Sequence, residues 1–177
     1  MSDKFNYSAL ERSIIDIIQE FEIKLGYSKQ TLRLFFPEKS LCNLLGCDIS
    51  ALDGALGEFP GHTILGDVKF LRDDDGRRCA VIPDKGVARV HESFDGCGFL
   101  SEFIAATIDC PRGIDDILEV FRRYGDVACE SMDNGEFDYL VYFKNGLPDN
   151  YRYCLKLGHG HASYHRFTKE DYADFGF

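Results

Sequence analysis

The stretch that most constrains the fold runs from Phe137 to Phe167, where three strand-like runs are separated by turn residues. Phe137–Phe143 (FDYLVYF) is apolar on both alternating faces. Phe137, Tyr139, Val141 and Phe143 share one, and Leu140 and Tyr142 the other, as in a central strand covered on both sides. Asn-Gly and Pro-Asp within 144–150 then carry the chain to Tyr151–Leu157. There Tyr151, Tyr153, Leu155 and Leu157 alternate with Arg152, Cys154 and Lys156. Gly158-His159-Gly160 turns the chain into a last run, His161–Phe167. Successive runs of period two joined by short turns specify an antiparallel β-meander.

Turn length decides which side chains share a face, because a slip of one residue moves every side chain to the other side. A two-residue turn, His159-Gly160 or Gly158-His159, fits a primed hairpin. It places Tyr153, Leu155 and Leu157 with Ala162, Tyr164 and Arg166. Arg152, Cys154 and Lys156 then share the opposite face with His161, Ser163 and His165, and Cys154 lies opposite His165 or Ser163. A three-residue loop would put the histidines among the tyrosines and leucines. The two-residue turn keeps apolar with apolar and is the expected one.

Upstream, Ser8-Ala-Leu-Glu11 has the form of a capping box, with Ser8 on the N–H of Glu11 and Glu11 reaching back. Leu10, Ile14, Ile17, Ile18, Phe21 and Leu25 recur at helical spacing, and Gly26 ends the helix. Thr31–Phe36 reads as a strand stopped by Pro37, and Glu38–Gly46 as a short helix. Ser50–Asp53 caps a turn or two more. Gly54–His62 reads as a loop, and it lacks the Lys-Ser/Thr ending of a phosphate-cradling loop.

From Thr63 to Glu92 the residues read as strands around the turn Arg72–Arg77. Asp73-Asp74-Asp75-Gly76 lacks the alternating ligands and late Glu of an EF-hand, and His91-Glu92 has no second His one helical turn on. Helices are expected over Gly98–Thr107 and Ile114–Tyr124. In the second, Asp115, Asp116 and Glu119 near the start and Arg122 and Arg123 at the end suit the helix dipole. Val127–Met132 opens the meander, and Thr168–Asp174 reads as a capped final helix. The two phenylalanines at the terminus, Phe175 and Phe177, are expected to fold back onto the core or onto a dimer partner.

The expected architecture is therefore α+β: an antiparallel sheet with helices on one face or at its ends and a C-terminal β-meander. At 177 residues it is expected to be a single domain, 1–177. That domain has a helical N-terminal segment 1–57, strands 63–92, helices 98–124, a meander 127–167 and a short helix 168–174. The softest internal boundary is 107–113.

A formal charge of −10 repels nucleic-acid phosphates and anionic lipid and favours a basic partner. The start MSDKFNYSALERSIIDIIQE has no basic segment leading into an apolar core and cleavage site, and no run is long enough to span a bilayer. Seven scattered cysteines, an odd count without a CxxC pair, fit reduced thiols. A cytoplasmic location is expected.

Three readings of the polar stripe compete. One is a solvated sheet face. The second is a groove for a small molecule or peptide built from Lys156, His161, Ser163 and His165, beside many tyrosines. The third is chemistry, with His165 activating Cys154, or with His161 and His165 joined by Cys154, Asp149 or Glu170 around a metal. On an extended strand His161 and His165 stand roughly 13 Å apart, too far to share one ion without a bulge. No third group to orient His165 is apparent, so no catalytic residue, metal or cofactor is assigned.

The segments EFEIKLGYSKQTLRLFFPEKSLCNLLG, FDYLVYF, YRYC and YHRFTKEDYADFGF resemble a small bacterial family known only as a domain of unknown function, across nearly the whole chain. The resemblance implies a bacterial, cytoplasmic protein and no activity. The expectation is a non-enzymatic binding or protein-interaction domain taking a basic protein or a small molecule. The alternative is a metal-binding or Cys/His-dependent enzyme using the stripe. A homodimer through a sheet edge or the aromatic terminus is compatible with either.

Overall fold

The computed structural model describes residues 4–26, 30–96 and 98–176. Cys97, one of the seven cysteines, and the terminal Phe177 lie outside them. The chain forms two compact units, Met1–Asp95 and Gly96–Phe177, so the division falls ahead of the 107–113 stretch.

In the first unit, α1 (Tyr7–Leu25) ends where Gly26 takes the left-handed conformation at φ 72°. It starts two residues earlier than the capping box implies. Asn6 is the cap, and its side-chain oxygen accepts from the N–H of Ala9. Glu11 is drawn elsewhere: its Oε2 accepts from the Thr63 hydroxyl at 2.6 Å and the Ile64 N–H at 2.7 Å. A carboxylate that satisfies two groups of a distant turn is not available to its own helix end.

Strand β1 (Leu32–Phe36) leads into α2 (Glu38–Leu45) and α3 (Ile49–Glu58), followed by a 3-10 turn over Phe59–His62. The loop expected at Gly54–His62 is thus largely helical. Leu52, Ala55, Leu56 and Phe59 recur at helical spacing and are all buried, and that burial outweighs the poor helix propensity of Gly54 and Gly57.

Of the strands expected over 63–92, two form: β2 (Lys69–Arg72) and β3 (Arg78–Ile82). Asp84–Glu92 is instead a helix, α4. Val87 and Val90, three apart, are buried on one face with Gly86, a spacing a strand would split between faces. Asp84 in the first turn and Arg89 and His91 in the last complement the dipole. Gly86 permits this helix to pack. A Cβ there would stand 2.2 Å from the Leu65 carbonyl oxygen.

The strands form a three-stranded antiparallel sheet in the order β1-β3-β2. Leu32, Leu34, Phe36, Ala80 and Ile82 face a core with Leu10, Ile14, Ile18, Leu41, Leu45 and Leu52 of the helices. Burying each such Leu or Ile side chain contributes about 1.5–3 kcal/mol before chain entropy is counted.

The second unit contains α5 (Gly98–Ile108), α6 (Ile114–Tyr124), the strands β4 (Val127–Ser131), β5 (Tyr139–Phe143), β6 (Arg152–Leu157) and β7 (Ala162–Phe167), and α7 (Lys169–Phe175). The four strands make an antiparallel meander in chain order. One face meets α5 and α6 through rings set edge to face or tilted: Phe103 to Tyr153 at 4.9 Å, Phe103 to Tyr164 at 4.7 Å, and Phe121 to Phe143 at 5.0 Å. The other face carries α7. Its Thr168 cap accepts from the Asp171 N–H, and Phe175 folds back to 5.0 Å from Phe167. Both sheets are antiparallel, and the mixture of elements is α+β. Among the described residues, no helix is long and apolar enough to cross a membrane.

Candidate functional site

The register of the last hairpin decides what the polar stripe can do. Cys154 pairs with His165, Lys156 with Ser163 and Leu157 with Ala162, and the Gly158 N–H donates to the His161 carbonyl at 2.8 Å. The turn is therefore His159-Gly160, with Gly160 at φ 78°. Cys154, Lys156, Ser163 and His165 share one face, and Tyr153, Leu155 and Tyr164 the other.

Each stripe residue has an identifiable environment. Cys154 has no exposed surface, and burial, with Glu136 adding to it, pushes its thiol up to about 11. A nucleophile needs the opposite shift. The His165 ring leans over Phe167, with centroids 4.1 Å apart. Lys156 donates to Asp138 Oδ1 at 2.9 Å, while Asp138 Oδ2 accepts from the Leu157 N–H at 2.8 Å. That N–H, together with the Lys156 ammonium, holds the Asp138 carboxyl below its ordinary range. Lys156 thus ties β6 to the turn before β5. The His161 ring lies over Gly158, where a Cβ would come within 2.6 Å of it, and its Nδ1 is 3.3 Å from the His159 carbonyl. Ser163 and His165 are exposed.

Neither of the two acidic groups raised as metal partners joins the stripe's histidines in a group of three or more ligating side chains among the described residues. Asp149 Oδ2 accepts from the Tyr153 hydroxyl at 2.6 Å and Oδ1 from the Tyr151 N–H at 3.1 Å. Burial, followed by the Asp149 charge, holds the Tyr153 phenol well above its usual value. Glu170 lies in the first turn of α7. Among the described residues no group of three or more His, Cys, Asp or Glu side chains is arranged to hold a metal ion.

A second surface, which sequence reasoning did not single out, lies on the N-terminal sheet. Two cross-strand rows occupy the face turned away from the core: Arg33–Val81–Lys69, and beside it Phe35–Cys79–Leu71. Phe35 and Leu71 are each 52% exposed, whereas Cys79 between them is buried without belonging to the unit's core cluster. Arg77, from the β2–β3 turn, stands 5.1 Å over the Phe35 ring and pairs with Asp73 at 2.9 Å. Arg33 and Lys69 are exposed and make no ion pair among the described residues. The signal was present in the alternation of Leu32-Arg33-Leu34-Phe35-Phe36. It marks Arg33 and Phe35 as sharing a face, but says nothing about whether a helix covers that face.

The model of a family described as a domain of unknown function, DUF3877, with a gene of the bacterium E. rectale in its description, matches residues 7–176. No curated protein and no solved structure gives a significant match.

Proposed function

We propose that this chain, which belongs to the DUF3877 family of unknown function, acts as a protein-interaction domain through the outward face of its N-terminal sheet. One observation carries the reading: Phe35 and Leu71 stand half-exposed on either side of a buried Cys79, one strand apart from each other across β3. Scattered exposed apolar residues are ordinary. A contiguous apolar row on a sheet face, rimmed by charge, is the form an interaction surface takes. A reducing cytoplasm suits the reading, since the six described cysteines are free.

The test is site-specific photo-crosslinking in cells, with the reactive side chain at position 71 and at Lys85, which is exposed on α4, as control. A discrete adduct at position 71, absent at 85 and lost on Phe35→Ser, is the expected result. Adducts equal at the two positions, or unaffected by Phe35→Ser, sink the reading.

A further inference from the structure

We infer that Cys42 and Cys47 are a redox-active thiol pair, which a low-molecular-weight disulfide such as glutathione disulfide converts into an internal disulfide. The pair lies at the end of α2, and its chemistry does not depend on the interaction reading above. Its geometry comes from the way that helix stops. Gly46 takes the left-handed conformation at φ 66°, and its N–H turns back to the Cys42 carbonyl. The next N–H, that of Cys47, donates to the same carbonyl at 3.1 Å. A backbone closed in this way sets the residue after the glycine against the last turn of the helix, where an apolar pair ordinarily meets. Here both members are cysteines, each partly buried. Cys47 is close enough to Cys42 to act on it both as a hydrogen-bond partner and as a charge. A disulfide needs Cα atoms roughly 4.4–6.8 Å apart, and a direct backbone hydrogen bond between the two residues supplies that approach.

The two thiols enter in order. Burial, followed by Cys47 and then by the carboxylates of Glu38 and Asp48, pushes the Cys42 thiol up, so it serves as the second nucleophile. In the first exchange the Cys47 thiolate attacks one sulfur of the small disulfide. The S–S bond breaks, a bond from Cys47 to glutathione forms, and one glutathione thiolate leaves. In the second, the Cys42 sulfur gives up its proton, attacks the Cys47 sulfur and expels the other glutathione thiolate. The two protons released by the cysteines end on the two glutathiones, whose sulfurs are reduced as the protein's are oxidised. A raised thiol suffices for the second step because its target is held beside it and the attack is intramolecular. Among the other described cysteines, Cys79, Cys110 and Cys154 are buried, and Cys129 is exposed with Arg122 and Glu130 as its charged neighbours. Closure fixes the turn from α2 to α3 and, beside it, the Leu45 carbonyl that receives the Asn6 N–H at 2.9 Å. Disulfides that form in a reducing compartment are typically transient and redox-sensing, and a pair closing across one turn suits that use.

The probe is glutathione disulfide in a fixed ratio to reduced glutathione, equilibrated at neutral pH with the full chain. Remaining thiols are then alkylated, and the chain is digested with trypsin without reduction. Cleavage after Lys39 and Lys69 leaves Cys42 and Cys47, and no other cysteine, on the peptide 40–69. That peptide is expected to be unalkylated, lighter by two hydrogens and free of glutathione. Its disulfide form is expected to be favoured roughly tenfold more in the native chain than in urea, because only the folded turn holds the sulfurs together. Cys42→Ser is expected to stop at the mixed disulfide, with glutathione kept on Cys47, and unchanged circular dichroism confirms that this variant folds. The comparison of native and urea-unfolded wild type needs no variant at all. A doubly alkylated peptide, glutathione retained on either cysteine of the native chain, or a disulfide from either to a third cysteine overturns the inference. So does closure no more favourable in the native chain than in urea, or a folded Cys42→Ser chain without glutathione on Cys47.

Discussion

The two sheets of this molecule obey the same alternation and end in different states. The C-terminal meander has helices on both sides. Phe143, Tyr153 and Leu155 are buried on one face, with α5 and α6 against it. On the other, Leu140 and Cys154 are buried and Phe167 meets Phe175 and Tyr172 of α7. The N-terminal sheet buries Leu34, Ala80 and Ile82 on one side and leaves Phe35 and Leu71 half-exposed on the other. The difference lies in where the chain goes when it leaves each sheet. After β7, a single Thr168 cap returns the chain as α7 onto the meander's second face. After β3, the chain enters α4, whose Val87 and Val90 join the core that already covers the first face. Alternation decides which residues share a face; connectivity decides whether that face is covered.

The sharpest way to break this comparison is to truncate one strand phenylalanine in each sheet. Phe143→Ala should cost about 3–5 kcal/mol, because a fully buried ring leaves a cavity among Phe99, Phe121 and Tyr153. Phe35→Ala should cost less than about 1 kcal/mol, chiefly the lost contact with Arg77. Urea denaturation of the two variants measures both. Equal costs would mean that the face around Phe35 is covered after all.

A second contrast uses the glycines where the backbone approaches most closely in each unit. A Cβ at Gly86 meets the Leu65 carbonyl oxygen at 2.2 Å, so either α4 or the turn before β2 must move. At Gly125 it meets the Leu147 carbonyl at 2.9 Å and the Phe143 ring at 3.0 Å, a smaller overlap against an exposed connection. Gly86→Ala should cost about 3 kcal/mol and Gly125→Ala about 1–2 kcal/mol. Hydrogen exchange should place the first loss in α4 and β3. The reverse ranking would show that the α4 packing tolerates more than its geometry allows.

Legibility from sequence divides along the same line. The meander, its two-residue turn and the Thr168 cap were readable, because apolar alternation and local turn chemistry act within a few residues. The identity of α4 was not. Val87-Ala-Arg-Val90 has β-branched residues that suit a strand, and only burial of Gly86, Val87 and Val90 against distant partners selects the helix. The cap at Ser8 was misread for a similar reason, since Thr63 and Ile64, far along the chain, recruit Glu11. The polar stripe was legible as a set of neighbours but not as an environment. Nothing in the alternation reveals that Cys154 is buried or that Lys156 is held by Asp138. The Phe35–Leu71 row needed the β1-β3-β2 order, which joins strands more than thirty residues apart.

The covering helix can be tested through the thiol beneath it. Tyr172 of α7 is close enough to Cys154 for their charges to interact, and burial raises the tyrosine's own phenol. With the Cys154 thiol pushed from 9.0 to about 11, its thiolate fraction near pH 8 is about a hundredfold below that of an ordinary cysteine. Alkylation followed by mass spectrometry should find the exposed Cys129 labelled well before Cys154. Tyr172→Ala should accelerate Cys154 labelling roughly tenfold, at a stability cost of about 1 kcal/mol. An unchanged rate would mean that α7 does not shield this face.

The smallest effect expected is that of Asp138→Asn, which asks whether Lys156 is a structural tie. The folded-state pKa of Asp138 is depressed, first by the Leu157 N–H and then by Lys156. A depressed carboxylate contributes stability that is present above its unfolded pKa and is lost as pH falls through the folded one. Wild type should therefore lose this contribution only in acid, whereas the variant lacks it throughout. The gap between them should be widest near neutral pH and close as the solution becomes strongly acidic. The ion pair is about one-third to two-fifths exposed, so solvent screening keeps the difference below about 1 kcal/mol. A gap that stays constant from neutral to strongly acidic pH would assign it to lost packing. In that case Lys156 would be free to serve the stripe rather than the turn.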